Sequence, residues 1–536
     1  MRALAPIGLV PLFACLSPPV ASPRTTVTQE TNVRVEQNIK NKVDVLFLVD
    51  NSSSMDPMQL ELRARFGDFF KVFEDLAASG TYADMHIGVV TSDYGAGDTA
   101  GGGCDASPGG QKGILQTVPS PNATNPPAGC AAPTGSPFIS YKFNAGGAPT
   151  TNLPNGTDAT ALVNEFTCMA SVGAKGCGFE HQLESVYAAL RNTNENKGFL
   201  RDDALLTVVF VTNEDDGSAA PSAKFYEQAT DPAGTSMYGQ YTTYRQTRFA
   251  IDCNGAPIPY GMPLPNLMGC AAAPNPMNAD VNTAFDVSRY ISFFTLPAAQ
   301  GGVKVDPQDV ILVGIDGPSS PVSTILIDPT MGNAPYHACP SPMLAQNCIE
   351  ALQHACENTA QPGFFADPGV RLNTVINSVA NHKTTSICGD DLTKPPDFTN
   401  AMQQLGELIS SQIGPGCLNS PVANRADGTP DCTVQDVTAN PNGTGMITEI
   451  PSCAENGNTT PCWALNDLLK QYQMQGCVAA PGPEPPSCKL PVSCQPVTNP
   501  VDGKQQLASV SINRGGQPPP ANTTARVSCA TVASSM

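Results

Sequence analysis

Positive charge is scarce in this chain. Lys and Arg number 28 against 47 Asp and Glu, and the formal net charge is −19 over 536 residues. A phosphate backbone is held by a basic stripe, so nucleic acid is excluded as a partner. Histidine is scarcer still, with five residues and no cluster. The cysteines do not fall into C-x-x-C pairs, so the close Cys/His spacing of a zinc site is missing. No apolar run reaches the roughly 20 residues of a transmembrane helix. There is no G-x-S-x-G elbow, H-E-x-x-H helix, Walker A loop or D-x-D-x-D-G calcium loop. The usual signatures of hydrolases, zinc proteases, nucleotide enzymes and EF-hands are therefore missing.

Cysteine itself is plentiful, with 19 residues spread along the chain. That usage points to a disulfide network in an oxidising compartment. Taking away Cys15 with a leader leaves an even number. The leader is residues 1–22: Arg2 supplies a positive start and residues 3–14, ALAPIGLVPLFA, an apolar stretch too short to span a membrane. Leu12-Phe13-Ala14-Cys15 resembles a lipobox, in which Cys15 is acylated. The protein is thus expected outside the cytoplasm, either lipid-anchored to a bacterial envelope or secreted, with no other membrane contact. Gly and Pro contribute 47 and 51 residues, which implies long loops. Short separations suggest local bridges at Cys104–Cys130, Cys168–Cys177, Cys253–Cys270 and Cys453–Cys462.

Residues 23–42 read as a polar tether. VDVLFLVD at 43–50 then fits a strand buried on both faces of a parallel sheet. A helical stripe follows over 57–77, carrying Met58, Leu60, Leu62, Phe66, Phe69, Phe70 and Phe73. Strands are predicted at 85–91, 204–212, 308–315 and 383–388. Helices are predicted at 159–169, 180–196, 284–297, 369–380 and 397–413. Three Cys-rich insertions interrupt this rhythm, at about 94–158, 217–280 and 318–366. Strands alternating with helices predict an α/β fold: a doubly wound, mostly parallel sheet with helices on both faces over 43–414. Residues 417–536 hold eight of the cysteines and much proline, and predict a small β-containing, disulfide-stapled region with strands at 506–513 and 524–529.

The chemistry concentrates at the end of the first buried strand, in Asp50-Asn51-Ser52-Ser53-Ser54. Ligand sites of open α/β sheets lie beyond the carboxyl ends of the strands. One carboxylate and two hydroxyls are hard oxygen donors suited to Mg²⁺, with positions left open for a partner. An ordinary strand-to-helix turn capped by Ser or Asp would read the same way in isolation. The context goes further. VDVLFLVDNSSSM, HIGVV, LLTVVFVTNEDD and VILVGIDG, at their intervals over about 43–414, resemble the von Willebrand factor A family. The resemblance implies a metal-ion-dependent adhesion site and a function in binding rather than catalysis. It also implies a Thr near Gly178 and an Asp at the position of Asn213, and the sequence departs at both. Glu180 and Asp215 or Asp216 would then rebuild the site with Asp50, Ser52, Ser54 and Asn213, and added carboxylates would favour Mn²⁺ or Ca²⁺. Otherwise the site is degenerate and the domain structural. Asp93 and Asp316 also end strands and read as loop starters. His86 reads as a structural residue and His181 as a residue on a helix surface. The expectation carried forward is an extracytoplasmic binding protein, not an enzyme, that recognises a protein or cell-surface ligand through an altered divalent-cation site. The rival is a disulfide-hardened envelope module.

Overall fold

The computed structural model describes residues 28–35, 41–78, 82–96, 110–226, 242–274, 284–339, 348–413, 417–467 and 496–532, apart from short stretches inside these ranges. The leader, Cys15 and Cys104 lie outside the described residues. Strand β1 (Thr28–Val35) comes first. The α/β domain then runs β2 (Lys42–Val49), α1 (Asp56–Ala78), β3 (Asp84–Thr91), β4 (Ile139–Asn144), β5 (Gly147–Thr151), α2 (Ala159–Met169), α3 (Gln182–Arg191), β6 (Leu205–Val211), α4 (Tyr244–Arg248), α5 (Ser288–Thr295), β7 (Val310–Asp316), α6 (Val370–Ile376), β8 (Asn381–Ser386) and α7 (Thr399–Ile413). The C-terminal region contributes β9 (Cys432–Ala439), β10 (Gly445–Ile450), β11 (Cys462–Asp467), β12 (Ala508–Asn513) and β13 (Thr523–Val532).

The central sheet has seven strands in the order β8-β7-β6-β2-β3-β4-β5. The first five are parallel, and β4 and β5 extend the sheet antiparallel. This is the α/β architecture read from the sequence. The alternation of β2 explains how both faces are covered. Val43, Val45, Phe47 and Val49 point into one core with α1, α2 and α7, and Leu46 and Leu48 point into the other with α3, α5 and α6. Each side chain from Val43 to Val49 therefore leaves water, and the strand reads as a nearly continuous apolar run. Phe47 meets the rings of Phe66, Phe69 and Phe166. Leu60, counted in the helical stripe of α1, is instead 38% exposed. The β4–β5 hairpin was not expected. It lies in the first insertion, whose Gly/Pro-rich sequence shows no regular alternation.

The C-terminal region is β-rich and disulfide-linked, as expected, but it does not stand alone. Its four-stranded sheet runs β1-β13-β9-β10. Residues 28–35, read as part of the tether, pair with β13 from Thr28↔Val532 to Val35↔Ala525. Backbone hydrogen bonds alone hold a polar edge strand to a sheet, so a segment poor in apolar residues gives no hydrophobic signal. The α/β domain is thus inserted between the first strand and the rest of this β region.

Two of the four proposed bridges form, Cys253–Cys270 and Cys453–Cys462. The other two are overturned. Cys168 pairs with Cys130, at 5.7 Å between Cα atoms, which rules out both Cys168–Cys177 and Cys104–Cys130. The last turn of α2 carries Cys168 toward the first insertion, whereas Cys177 packs with Phe179, Ala219 and Tyr226 and is disulfide-bonded elsewhere. Cys339–Cys348, Cys356–Cys388 and Cys432–Cys529 complete the described set. Cys432 and Cys529 are 97 residues apart in sequence but directly opposite across β9 and β13, so separation along the chain is no guide to them. Non-reducing peptide mapping should recover a Cys130–Cys168 peptide. Replacing both residues by Ser should lower stability by about 2–4 kcal/mol in chemical denaturation. A bridge from Cys168 to Cys177 in that map would overturn the assignment.

Candidate functional site

Three neighbouring parallel strands end together, and the residue after each end turns to one point. Asp50 follows β2, Ser92 follows β3 and Thr212 follows β6. Asp50 is fully buried. Its Oδ1 accepts the Ser52 backbone N–H at 2.8 Å and the Ser92 hydroxyl at 2.9 Å, and its Oδ2 accepts the Thr212 hydroxyl at 2.7 Å. Burial still outweighs these bonds and pushes the Asp50 carboxyl above its ordinary range.

The two serines of the motif face the end of β6. Ser52 Oγ and Ser54 Oγ lie 3.3 Å apart. The Ser54 hydroxyl donates to Asn213 Oδ1 at 3.0 Å. Asn213 is fully buried and its Nδ2 has no partner. Gln59, in the first turns of α1, fixes the loop from behind. Its Nε2 donates to the carbonyls of Asp50 and Gly173, both at 2.8 Å. The Gly176 N–H donates to the Asn51 carbonyl at 2.8 Å. A Cβ at position 176 would sit 2.3 Å from Asn51 Oδ1, so glycine is required where this loop closes on the motif.

Glu180 enters the site beside these residues. It forms an isolated antiparallel bridge with Asp93 and is fully buried. Gln246, on α4 in the second insertion, donates from Nε2 to Glu180 Oε2 at 3.0 Å. Glu180 Oε1 has no partner. Burial first, then the charges of Glu214 and Asp50, hold the Glu180 carboxyl well above its ordinary range. Glu214 follows Asn213 and is partly exposed. Its carboxyl rises to about 7, mainly through burial and then the charge of Asp50, while a hydrogen bond from Glu180 opposes the rise.

Asp215, expected beside the serines, is committed elsewhere. Its carboxylate accepts the backbone N–H groups of Val370 at 3.0 Å, Arg371 at 2.9 Å and Leu372 at 2.9 Å. It caps α6, because the first amides of a helix have no partner within it. Asp216 pairs with Arg371 at 3.1 Å and accepts the Leu183 N–H at 2.9 Å. One residue earlier, Glu214 lies close enough to Asp50 and Glu180 to interact with both. Asp93 Oδ1 takes the Gly95 N–H at 3.0 Å within its own turn. Asp316 is buried and lies close enough to Asp215 for that charge to raise it further, after burial.

His181 is buried rather than on a helix surface. Its Nε2 meets the Tyr226 hydroxyl at 2.7 Å, its ring lies parallel to those of Tyr94 and Tyr226, and burial lowers it to about 4.

Asp50, Ser52, Ser54 and Asn213 are thus linked by hydrogen bonds, Glu180 lies close enough to Asp50 to feel its charge, and Asp215 is committed to α6. Ser92, Thr212, Glu214, Gln59 and Gln246 were missed. Ser92 and Thr212 carried the same signal as Asp50, a polar residue directly after a buried strand. Gln246 carried none, since its insertion shows no periodicity. Among the described residues, no three His, Cys, Asp or Glu side chains group closely enough for a cage of charged ligands.

No family model and no curated protein matches this chain. Among solved structures it is similar to the pilus adhesin RrgA from Streptococcus pneumoniae, at 9% identity over 94% of this chain and 58% of that one, with a TM-score of 0.28. It is also similar to the adhesive tip pilin GBS104 from Group B Streptococcus agalactiae, at 10% identity over 95% of this chain and 82% of that one, with a TM-score of 0.28. The pilus adhesin SpaC from Lactobacillus rhamnosus GG, in its open conformation, gives 10% identity over 93% and 40% and a TM-score of 0.29. This chain spans 58% and 40% of the RrgA and SpaC chains. Likeness at this level leaves the fold and the site to be argued from the chain's own residues.

Proposed function

We propose that this chain is an extracytoplasmic binding protein of the von Willebrand factor A type, and that it holds a divalent cation at the end of β2 to engage an acidic group on a protein or cell-surface partner. The supporting observation is the chain of oxygens in which Ser52 Oγ lies 3.3 Å from Ser54 Oγ and the Ser54 hydroxyl 3.0 Å from Asn213 Oδ1, with the unpartnered Glu180 Oε1 on a carboxyl that feels the charge of Asp50.

These residues fit a hard cation. The donors are hydroxyl, amide and carboxylate oxygens, the set that Mg²⁺, Mn²⁺ and Ca²⁺ take. Asp50, Glu180 and Glu214 are all raised by burial with no positive side chain among the causes, so a bound cation would supply the missing charge. The absence of a three-acid cage means that at most two carboxylates would take part, with neutral oxygens beside them. A cation so held stays electrophilic toward an incoming carboxylate. Ser52, Ser54, Asn213 and Glu180 or Glu214 would hold it, and Ser92, Thr212 and Gln59 would orient Asp50 and its loop. The reading is of binding rather than catalysis, in keeping with a His181 that is buried and tied to Tyr226. The disulfides agree with an oxidising location, and acylation at Cys15 would tether the chain to an envelope.

A purely structural domain is the competing reading, favoured by the hydrogen bonds that already hold Asp50. Calorimetric titration separates the two. The wild-type chain should take up Mg²⁺, Mn²⁺ or Ca²⁺, and Ser54→Ala should weaken uptake by about tenfold or more. Equal failure of wild type and variant with all three cations would leave only the structural role.

A further inference from the structure

From the position of Gln246, we infer that this residue, supplied by the second insertion, sets which divalent cation the site prefers. The inference rests on the cation reading above.

Gln246 lies outside the elements that form the motif. Its helix, α4, belongs to the Cys-bridged insertion between β6 and β7, yet its side chain is only 2% exposed and reaches Glu180. The contact is fixed from both sides. Nε2 toward Glu180 is the orientation that pairs a donor with an acceptor. On the other side the amide lies against the backbone at Gly217, where a Cβ would come within 2.3 Å of Oε1 and 2.4 Å of Cδ. The amide therefore has no room to swing away, and glycine at 217 is what admits it. Gln246 Oε1 is buried without a partner, so the residue is not placed there to satisfy its own amide.

The consequence falls on Glu180. Oε2 of this carboxyl accepts from Gln246 and lies in reach of Glu214, while Oε1 has no hydrogen-bond partner among the described residues. A carboxylate restricted in this way offers one oxygen to a cation. Mg²⁺ demands near-octahedral geometry with single oxygens, whereas Ca²⁺ accepts more oxygens and bidentate carboxylates. Gln246 thus holds Glu180 in the form that suits the smaller ion. Removing its N–H frees the second oxygen and favours the larger one. The insertion in this way acts on the selectivity of a site that its backbone does not form.

Gln246→Met keeps the length and volume of the side chain and deletes the donor. The full chain, stripped with chelator, would be titrated calorimetrically with MgCl₂ and with CaCl₂, and near-UV circular dichroism would check the fold. The ratio of Ca²⁺ to Mg²⁺ affinity should rise about tenfold in Gln246→Met. Gln246→Ala should move it the same way, which guards against a packing defect in one variant. Ser54→Ala should weaken both ions without shifting the ratio. Binding by wild type with an unchanged ratio in both Gln246 variants overturns the inference and leaves the cation site standing. Absence of uptake by wild type overturns the cation reading itself, and this inference with it.

Discussion

Replacing Arg371 by Met is expected to cost about 3–5 kcal/mol of stability, the largest loss from any single side chain near the site. Arg371 is 1% exposed. Its guanidinium donates to Asp216 at 3.1 Å, to the Phe285 carbonyl at 2.7 Å and to the Ala250 carbonyl at 3.4 Å. It therefore ties the loop after β6 to Ala250, within the second insertion, and to Phe285, just after it. Deleting one member of a buried pair leaves the other charge desolvated and uncompensated, and that penalty sets the magnitude. Asp216 would keep the Leu183 N–H and the Ser218 hydroxyl, which cannot neutralise it. Chemical denaturation checks the value. A double variant, Arg371→Met with Asp216→Asn, should recover part of the loss, because no charge is then stranded. A single-variant loss below about 1 kcal/mol would show that Asp216 is compensated by other means.

The second large effect concerns pH and cations together. In chelator, the protein should lose stability as the pH rises from about 4 to about 7. The sign follows from the direction of the shifts. Glu214 goes from 4.5 to about 7 and Asp44 from 3.8 to about 6, both chiefly through burial. A carboxyl raised on folding binds its proton more tightly in the native state. Its contribution is fully present below the unfolded value and is lost as the pH climbs through the folded one. Each raised unit corresponds to about 1.4 kcal/mol, so each of these groups alone accounts for a few kcal/mol across the window.

The two groups are separable. Asp44 lies at the opposite end of β2, bonded to Arg201 at 2.7 Å, so Asp44→Asn should remove its share of the slope whether or not a cation is present. The share of Glu180 and Glu214 should vanish with a saturating divalent cation. At pH 7 such a cation at 100 times its Kd should add about 2.7 kcal/mol, and at pH 4, where both carboxyls hold protons, it should add little. Thermal melts across pH, with chelator or with MgCl₂, provide the check. Equal melting temperatures with and without Mg²⁺, Mn²⁺ and Ca²⁺ at pH 7 would contradict a cation held by these acids.

Much of the fold was legible in advance because its signals are local. A run such as Val43–Val49 is apolar on both faces only if the strand is covered twice, and Phe66, Phe69, Phe70 and Phe73 fall on one side of a helix by its 3.6-residue period. Helix α2 formed over Ala159–Met169, the span its pattern implied. The site was legible by half. Asp50, Ser52 and Ser54 are consecutive along one loop, so their meeting needs no long-range information. Glu180 and Asn213 come from other loops and were suggested only by the resemblance to the von Willebrand factor A family.

What the sequence determined by itself is the doubly wound sheet and the carboxyl-end position of the Asp50 motif. Burial of apolar runs and the chain's reversal after each strand are properties of short segments. Only the tertiary structure decided that Asp215 caps α6 while Glu214 comes close to Asp50 and Glu180. The choice between adjacent acids depends on which amides lie opposite them. Only it decided that Cys130 meets Cys168, that Thr28–Val35 completes a sheet with residues 525–532, and that Gln246 reaches Glu180. Each of these contacts joins polar groups distant in sequence. Hydrogen-bond partners and bridges are chosen by what packing brings within about 3 Å, and no periodicity along the chain records that choice.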